Sequence, residues 1–308
     1  MSKTAFMFPG QGAQYIGMGK DFYEKEDIAK EIFHKASSVT GLDIPSICFA
    51  ENDRLSATEY TQIAMLTVET AILKVLEVKG IHPDVTAGLS LGEYGAIVAC
   101  GAMSEGEAFA IVRRRGIYMQ EAVPEGGAMA AVIGLSGEVI EETCLNVSGI
   151  VSIANYNCPG QIVITGEADA VNKAGEILKE KGAKRIVPLN VSGPFHSQML
   201  AGAGERLRKD LNKVQMNDFS IPYVANLTAD YVSSPENISE LLEKQISSPV
   251  KWQQSVERML ADGVDTFVEI GPGRTLSSFV KKINREVTVL NVDKYEDLAK
   301  CMEVLINA

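Results

Sequence analysis

Three groups that can do chemistry together stand out in this chain: a serine between glycines, a histidine after Gly-Pro-Phe, and an arginine on an apolar helix stripe. The serine lies in Gly88-Leu89-Ser90-Leu91-Gly92. The apolar run Val85-Thr86-Ala87 leads in after Pro83-Asp84, and a helical pattern from Glu93 to Cys100 leads out. Strand, G-x-S-x-G, helix is the pattern of a nucleophile elbow. The chain must turn sharply, so the flanking positions need residues without bulk, and Gly88 and Gly92 meet that need. The turn leaves Ser90 Oγ exposed at a helix N-terminus. There the free backbone N–H groups and the helix dipole favour a developing oxyanion.

A nucleophilic serine needs a base, and the chain has three histidines. His34 sits in an amphipathic helix with Ile28, Ile32 and Phe33 and reads as a surface residue. His82 precedes Pro83, at the end of the elbow strand far from Ser90. His196 lies in Ser192-Gly193-Pro194-Phe195-His196-Ser197, between a strand end and a helix start. Strand ends are where α/β sheets build their sites, so elimination favours His196 as the group that takes the Ser90 proton and returns it to the leaving group.

Arg115 falls among Ala108, Ile111, Val112 and Met119 on a helical wheel, so it points inward. Arg113 and Arg114 point elsewhere and read as a solvated basic face. A buried guanidinium without an anion costs several kcal/mol. An internal carboxylate or a substrate carboxylate held bidentately answers that need equally well. The loops Pro9–Gln14 and Gly271–Gly273 lack Walker A spacing and read as tight turns at strand ends, where the Gln11 N–H can face the elbow.

The elements that must hold these groups follow an α/β grammar. Thr4–Phe8 reads as a buried strand, Thr58–Lys79 as a helix, and Ser104-Glu105-Gly106-Glu107 as a capping box opening a helix to about Ala122. Near Pro124-Glu125-Gly126-Gly127 the pattern changes. Strand Ala128–Gly134, helix Ser136–Asn146, strands Ile150–Asn155 and Gln161–Gly166, helix Ala168–Lys181 and strand Lys184–Val191 follow. That β-α-β-β-α-β order is a ferredoxin-like split βαβ, here an insertion (125–190) in a larger domain made of 1–124 and 191–308. After Pro194 come helices Met199–Val214 and Trp252–Ala261, strand Asp265–Ile270, a helix to Asn284, strand Val287–Val292 and a terminal helix. Strands alternating with helices predict a mostly parallel sheet covered on both faces.

Composition narrows the function classes. A net charge of −11 argues against nucleic acid or an anionic membrane as the main partner, while an acidic partner can still dock on a local basic patch. Five scattered cysteines without a C-x-x-C pair suggest neither a disulfide framework nor a metal site, and fit a reducing compartment. The N-terminal apolar run stops at Pro9, too short for a signal peptide, and no stretch approaches a membrane span. A cytoplasmic location is the expectation.

Taken in order, Phe8-Pro9-Gly10-Gln11-Gly12, Gly88-x-Ser90-Leu91-Gly92-Glu93-Tyr94, Arg115-Gly116-x-x-Met119-Gln120, Asn157-x-Pro159-Gly160-Gln161, Gly193-Pro194-Phe195-His196-Ser197, Pro249-Val250-x-Trp252 and Glu269-Ile270-Gly271-Pro272-Gly273 resemble the malonyl-CoA:acyl carrier protein transacylases of bacterial fatty-acid synthesis. The resemblance runs along essentially the whole chain. It implies an α/β-hydrolase-like core with a ferredoxin-like subdomain, no cofactor, and malonyl-CoA and acyl carrier protein as partners. It implies ping-pong transfer through a malonyl ester on Ser90, with His196 as base and the backbone carbonyl of Gln245 orienting the imidazole. Gln11 and Leu91 would supply oxyanion-hole N–H groups. Arg115 would pair with the malonyl carboxylate, Gln62 and Asn157 would line the site, and Phe195 matches the malonyl-selective form. Lys281 and Lys282, with Arg285, match positions used for carrier docking. Two departures stand out: Leu89 occupies a position usually held by histidine, with an expected effect on packing more than chemistry, and Gln62-Ile63 replaces Gln-Pro. An α/β-hydrolase esterase is the competing enzyme class. Its histidine comes late in the chain, whereas no histidine follows His196 and no His-Gly-Gly motif is present. A non-catalytic carrier-binding scaffold would not need Ser90, His196 and Gln11 together. A transferase serving polyketide synthesis would read the same.

Overall fold

The run Thr4-Ala5-Phe6-Met7-Phe8 is buried on both faces and apolar after its first residue: it forms β1 (Thr4–Phe8), a central strand of the larger sheet. The computed structural model describes residues 2–123, 125–191, 193–232 and 234–306, with the side chain of Ile306 left aside. Pro124 and Ser192, both quoted above, lie outside the described residues, as do the chain ends at 1 and 307–308 that bound the larger domain. The remaining strands are β2 (Val85–Gly88), β3 (Gly127–Ile133), β4 (Val151–Cys158), β5 (Gln161–Glu167), β6 (Arg185–Pro188), β7 (Tyr223–Val224), β8 (Tyr231–Val232), β9 (Thr266–Ile270) and β10 (Thr288–Val292).

Six strands form one sheet in the order β10-β9-β1-β2-β7-β8. All neighbours are parallel except β8, which pairs antiparallel with β7. Register matters more than order here. Phe8 lies opposite Gly88, and Met7 opposite Glu269, so β1, β2 and β9 end together. The loops that follow them, with Gln11, Ser90 and Gly271–Gly273, therefore share one edge, as sites in parallel sheets do.

The other four strands form an antiparallel sheet, β4-β5-β3-β6. Alternation along β3 splits its residues between two cores. Ala130 and Val132 pack with Ile140, Cys144, Val171 and Leu178 of the two helices on one face. Met129 and Ala131 face the main core on the other. β4 carries two register shifts, between Ile153 and Asn155 and between Tyr156 and Cys158. Such bulges re-aim side chains beside sites, and Val250 fills the gap: its N–H donates to Ala154 O at 2.8 Å and its carbonyl accepts from Tyr156 N at 2.9 Å.

Some elements differ from the expectation. The 185–188 strand is shorter than Lys184–Val191, the helix expected over Met199–Val214 is a 3-10 turn at Gln198–Leu200 followed by Ala201–Leu211, and the helix Ile238–Gln245 was not anticipated. Nor were the two-residue strands β7 and β8, which are too short to carry a period. No helix of the described residues is long and apolar enough to cross a membrane.

Candidate active site

The elbow is built by contacts that leave no room for a β-carbon. A Cβ on Gly88 would stand 1.9 Å from Gly92 O, and one on Gly92 would stand 2.0 Å from Phe8 O. Ser90 sits at the apex with φ 55°, a left-handed conformation unusual for a residue with a side chain. Asn226, just past β7, fixes it: Oδ1 accepts from Ser90 N at 2.6 Å, and Nδ2 donates to Gly88 O at 2.6 Å. The helix Gly92–Ala99 then leaves the turn, with Glu93 in its first turn.

His196 meets the serine across 2.8 Å, Nε2 to Oγ. Its Nδ1 lies 2.8 Å from the backbone carbonyl of Gln245. A carbonyl only accepts, so Nδ1 carries the proton and Nε2 is the lone pair facing the Ser90 hydroxyl. The imidazole is buried, and His196 itself has φ 61°. Burial first, and the Arg115 charge second, pull its pKa down to about 4, while the Gln245 carbonyl opposes the shift. At neutral pH this histidine is a neutral imidazole whose Nε2 can accept a proton.

Arg115 is fully buried, as its place on the wheel requires. Gly116 permits this: a Cβ there would meet Glu59 Cα at 2.9 Å, so the helix Glu105–Ala122 lies tight against the helix Thr58–Val78. Arg115 Nη1 donates to Gln62 Oε1 at 2.8 Å, and Nη2 donates to Gln245 Oε1 at 2.9 Å and to Ser90 Oγ at 3.2 Å. Among the described residues its Nε has no hydrogen-bond partner and no carboxylate lies within ion-pair distance. Of the two partners open to a buried guanidinium, an internal carboxylate is thus not in contact. Its neighbours both bridge helices: Arg113, partly buried and not on a solvated face as expected, pairs with Glu59 at 2.8 Å, while Arg114 pairs with Asp210 and remains solvent-exposed as expected.

The remaining expected residues fall into two sets. Gln11, Gln62, Asn157 and Phe195 line one cavity of about 640 Å³ with Ser90, Arg115 and His196. Leu91 is buried beside Ser90, and neither its backbone N–H nor that of Gln11 donates to another described residue. Gln11 Nε2 holds Thr58 Oγ1 at 3.0 Å. Lys281 and Lys282 are exposed and lie away from the cavity, on the helix Thr275–Ile283 whose Thr275, Leu276 and Phe279 form part of its wall. Lys281 Nζ donates to Val287 O at 2.7 Å, and Lys282 Nζ to Gln161 Oε1 at 3.1 Å. Leu89 also lines the cavity, so its effect reaches the site and not only the packing behind it. Sequence reasoning missed Asn226 and Asn155, and it quoted Glu93 without a role. No group of His, Cys, Asp and Glu among the described residues could hold a metal ion.

The acyl transferase domain family matches residues 5–301. The malonyl CoA-acyl carrier protein transacylase of Bacillus subtilis is 44% identical over 310 residues, covering 99% of this chain and 98% of the relative. The chain belongs to this transacylase family. Among solved family structures, the Streptococcus pneumoniae MCAT is similar at TM-score 0.95 and 47% identity, covering 98% of this chain and all of that one. A type II PKS acyl-carrier protein in complex with its malonyl-transacylase matches at TM-score 0.95 and 38% identity over the whole of both chains. Family membership accounts for the motif order along the sequence. The residue geometry above stands independently of it.

Proposed function

We propose that this acyltransferase moves malonyl from malonyl-CoA to the phosphopantetheine thiol of an acyl carrier protein, through a malonyl ester on Ser90. The observation that carries the reading is a neutral His196 bonded to Ser90, with a buried Arg115, free of any carboxylate, one hydrogen bond from the same hydroxyl. In the first half-reaction Ser90 Oγ attacks the thioester carbonyl as its proton passes to His196 Nε2. The tetrahedral oxyanion takes the N–H groups of Gln11 and Leu91. Collapse breaks the C–S bond, and His196 returns the proton to the CoA thiolate. The carrier thiol then gives its proton to His196, attacks the ester and restores Ser90.

In this reading Arg115 pairs with the malonyl carboxylate and Gln62 keeps the guanidinium in plane. Asn157 and Phe195 shape the wall, the Gln245 carbonyl orients the imidazole, and Lys281 and Lys282 receive the acidic carrier. No cofactor is needed, and the setting is the cytoplasm, where both substrates are soluble. We further propose that residues 125–190 are a ferredoxin-like unit inserted into an α/β-hydrolase-like core of 1–124 and 191–308, an assignment supported by the strand orders of the two sheets. Brief exposure to malonyl-CoA followed by intact-mass measurement tests the reading. Wild type gains one malonyl group and Ser90→Ala gains none; an ester on Ser90→Ala would overturn it.

A further inference from the structure

Behind the nucleophile lies a carboxylate that the transfer steps above do not use. Glu93 is 1% exposed. Its Oε2 accepts from Gln245 Nε2 at 2.7 Å and from Asn226 N at 3.2 Å, while Oε1 has no hydrogen-bond partner among the described residues. The groups around it are Arg115 from the neighbouring helix, Tyr223 from β7, and Tyr94 on its own helix. Burial pushes its pKa up to about 7, against the pull of Gln245, Asn226 and the Arg115 charge.

The two residues Glu93 holds touch the working groups in five places. Gln245 supplies the carbonyl on His196 Nδ1, the Oε1 on Arg115 Nη2, and an Nε2–H to Ser90 O at 2.9 Å. Asn226 holds Ser90 N and Gly88 O. An ionised carboxylate can only accept, so it dictates which way the Gln245 amide faces: Nε2 toward Glu93 and Ser90 O, Oε1 toward Arg115. A neutral group at 93 does not enforce this. A glutamine there leaves its own NH2 in the partnerless position of Oε1, or turns its carbonyl away from Gln245.

We infer that Glu93 is a positioning residue for the transfer, acting through Gln245 and Asn226 to hold Ser90, His196 and Arg115 in register. The inference rests on the roles proposed for those three residues. Because its effect passes through Ser90 and His196, which every acyl donor uses in this reading, it acts on turnover more than on binding.

The test is steady-state acyl transfer by Glu93→Gln at pH 8, counted per active site by the malonyl burst, with malonyl-CoA and acetyl-CoA as donors. The expected result is a fall in kcat of about ten- to a hundredfold for both donors, the scale of a misaligned catalytic group, with KM for malonyl-CoA moving by less than about threefold. Counting per titrated site removes any loss of folded protein, so a purely structural role would lower Tm and leave kcat alone. The pH profile is the second readout. Wild type shows a partial step in kcat near pH 7, falling on the acid side as Glu93 protonates, and Glu93→Gln lacks it. A kcat within about twofold of wild type, or a step that survives in the variant, overturns the inference. Failure of the underlying reading is separate: it appears as malonyl loading on Ser90→Ala, whatever Glu93→Gln does.

Discussion

Replacing Arg115 by alanine isolates what the guanidinium recognises. In the free enzyme its Nη atoms are held by Gln62 and Gln245, its Nε is unpaired, and one Nη2 bond reaches Ser90 Oγ. A malonyl carboxylate on the serine ester satisfies the free donors; an acetyl ester leaves them desolvated. A hydrogen bond to a charged group contributes about 1.5–3 kcal/mol, and two parallel ones hold the carboxylate in one orientation. That corresponds to roughly ten- to a hundredfold or more in kcat/KM between the two acyl-CoAs. Arg115→Ala removes this term from malonyl transfer only. It also removes a positive charge beside His196, which helps the base for both donors alike. Malonyl transfer should therefore fall while acetyl transfer holds or rises, and the preference narrows or inverts. Arg115→Lys should recover part of the loss, since a point charge lacks the planar fork. The assay is kcat/KM for malonyl-CoA and acetyl-CoA on wild type and variant. A ratio within about twofold of wild type would refute the argument and make Arg115 a structural member of the Gln62–Gln245 network.

Two further outcomes follow from the site. Acylation must lose its base only when His196 protonates; with a folded pKa pulled down to about 4, the final acid limb of kcat/KM should lie near pH 4 and not near the ordinary imidazole value. In Arg115→Ala that limb moves upward, because one of the two causes of the depression is gone; a limb that stays put in the variant counts against the charge as a cause. The double variant Lys281→Glu, Lys282→Glu should raise KM for the acidic carrier, most at low salt, and spare loading from malonyl-CoA. An unchanged carrier KM at low ionic strength removes these lysines from the docking surface.

How much of this was legible depends on the range over which each signal acts. The positions of Ser90 and Arg115 could be read locally, because a Cβ clash at Gly88 and the helical period at Arg115 are encoded within a few residues. His196 came by elimination among three candidates, and its partner Gln245 only by resemblance. Nothing near Gln245 announces that its carbonyl faces His196 and its amide faces Arg115. Asn226 follows a two-residue strand that no periodicity marks, and it meets Ser90 across 136 positions of sequence. The ion pairs of Arg113 and Arg114 were missed for the same reason: the acids that pair them, Glu59 and Asp210, lie on other helices.

The backbone splice at Val250 has a mechanical consequence. Its N–H and carbonyl both bond to the bulged strand β4, at Ala154 and Tyr156, only a few residues beyond the Gln245 carbonyl that steadies the imidazole. Swinging the smaller sheet away would break both bonds and strain the segment whose Gln245 carbonyl accepts from His196 Nδ1. The amides of Val250 and Tyr156, both held in these bonds, should therefore exchange slowly, with the core and not with a lid.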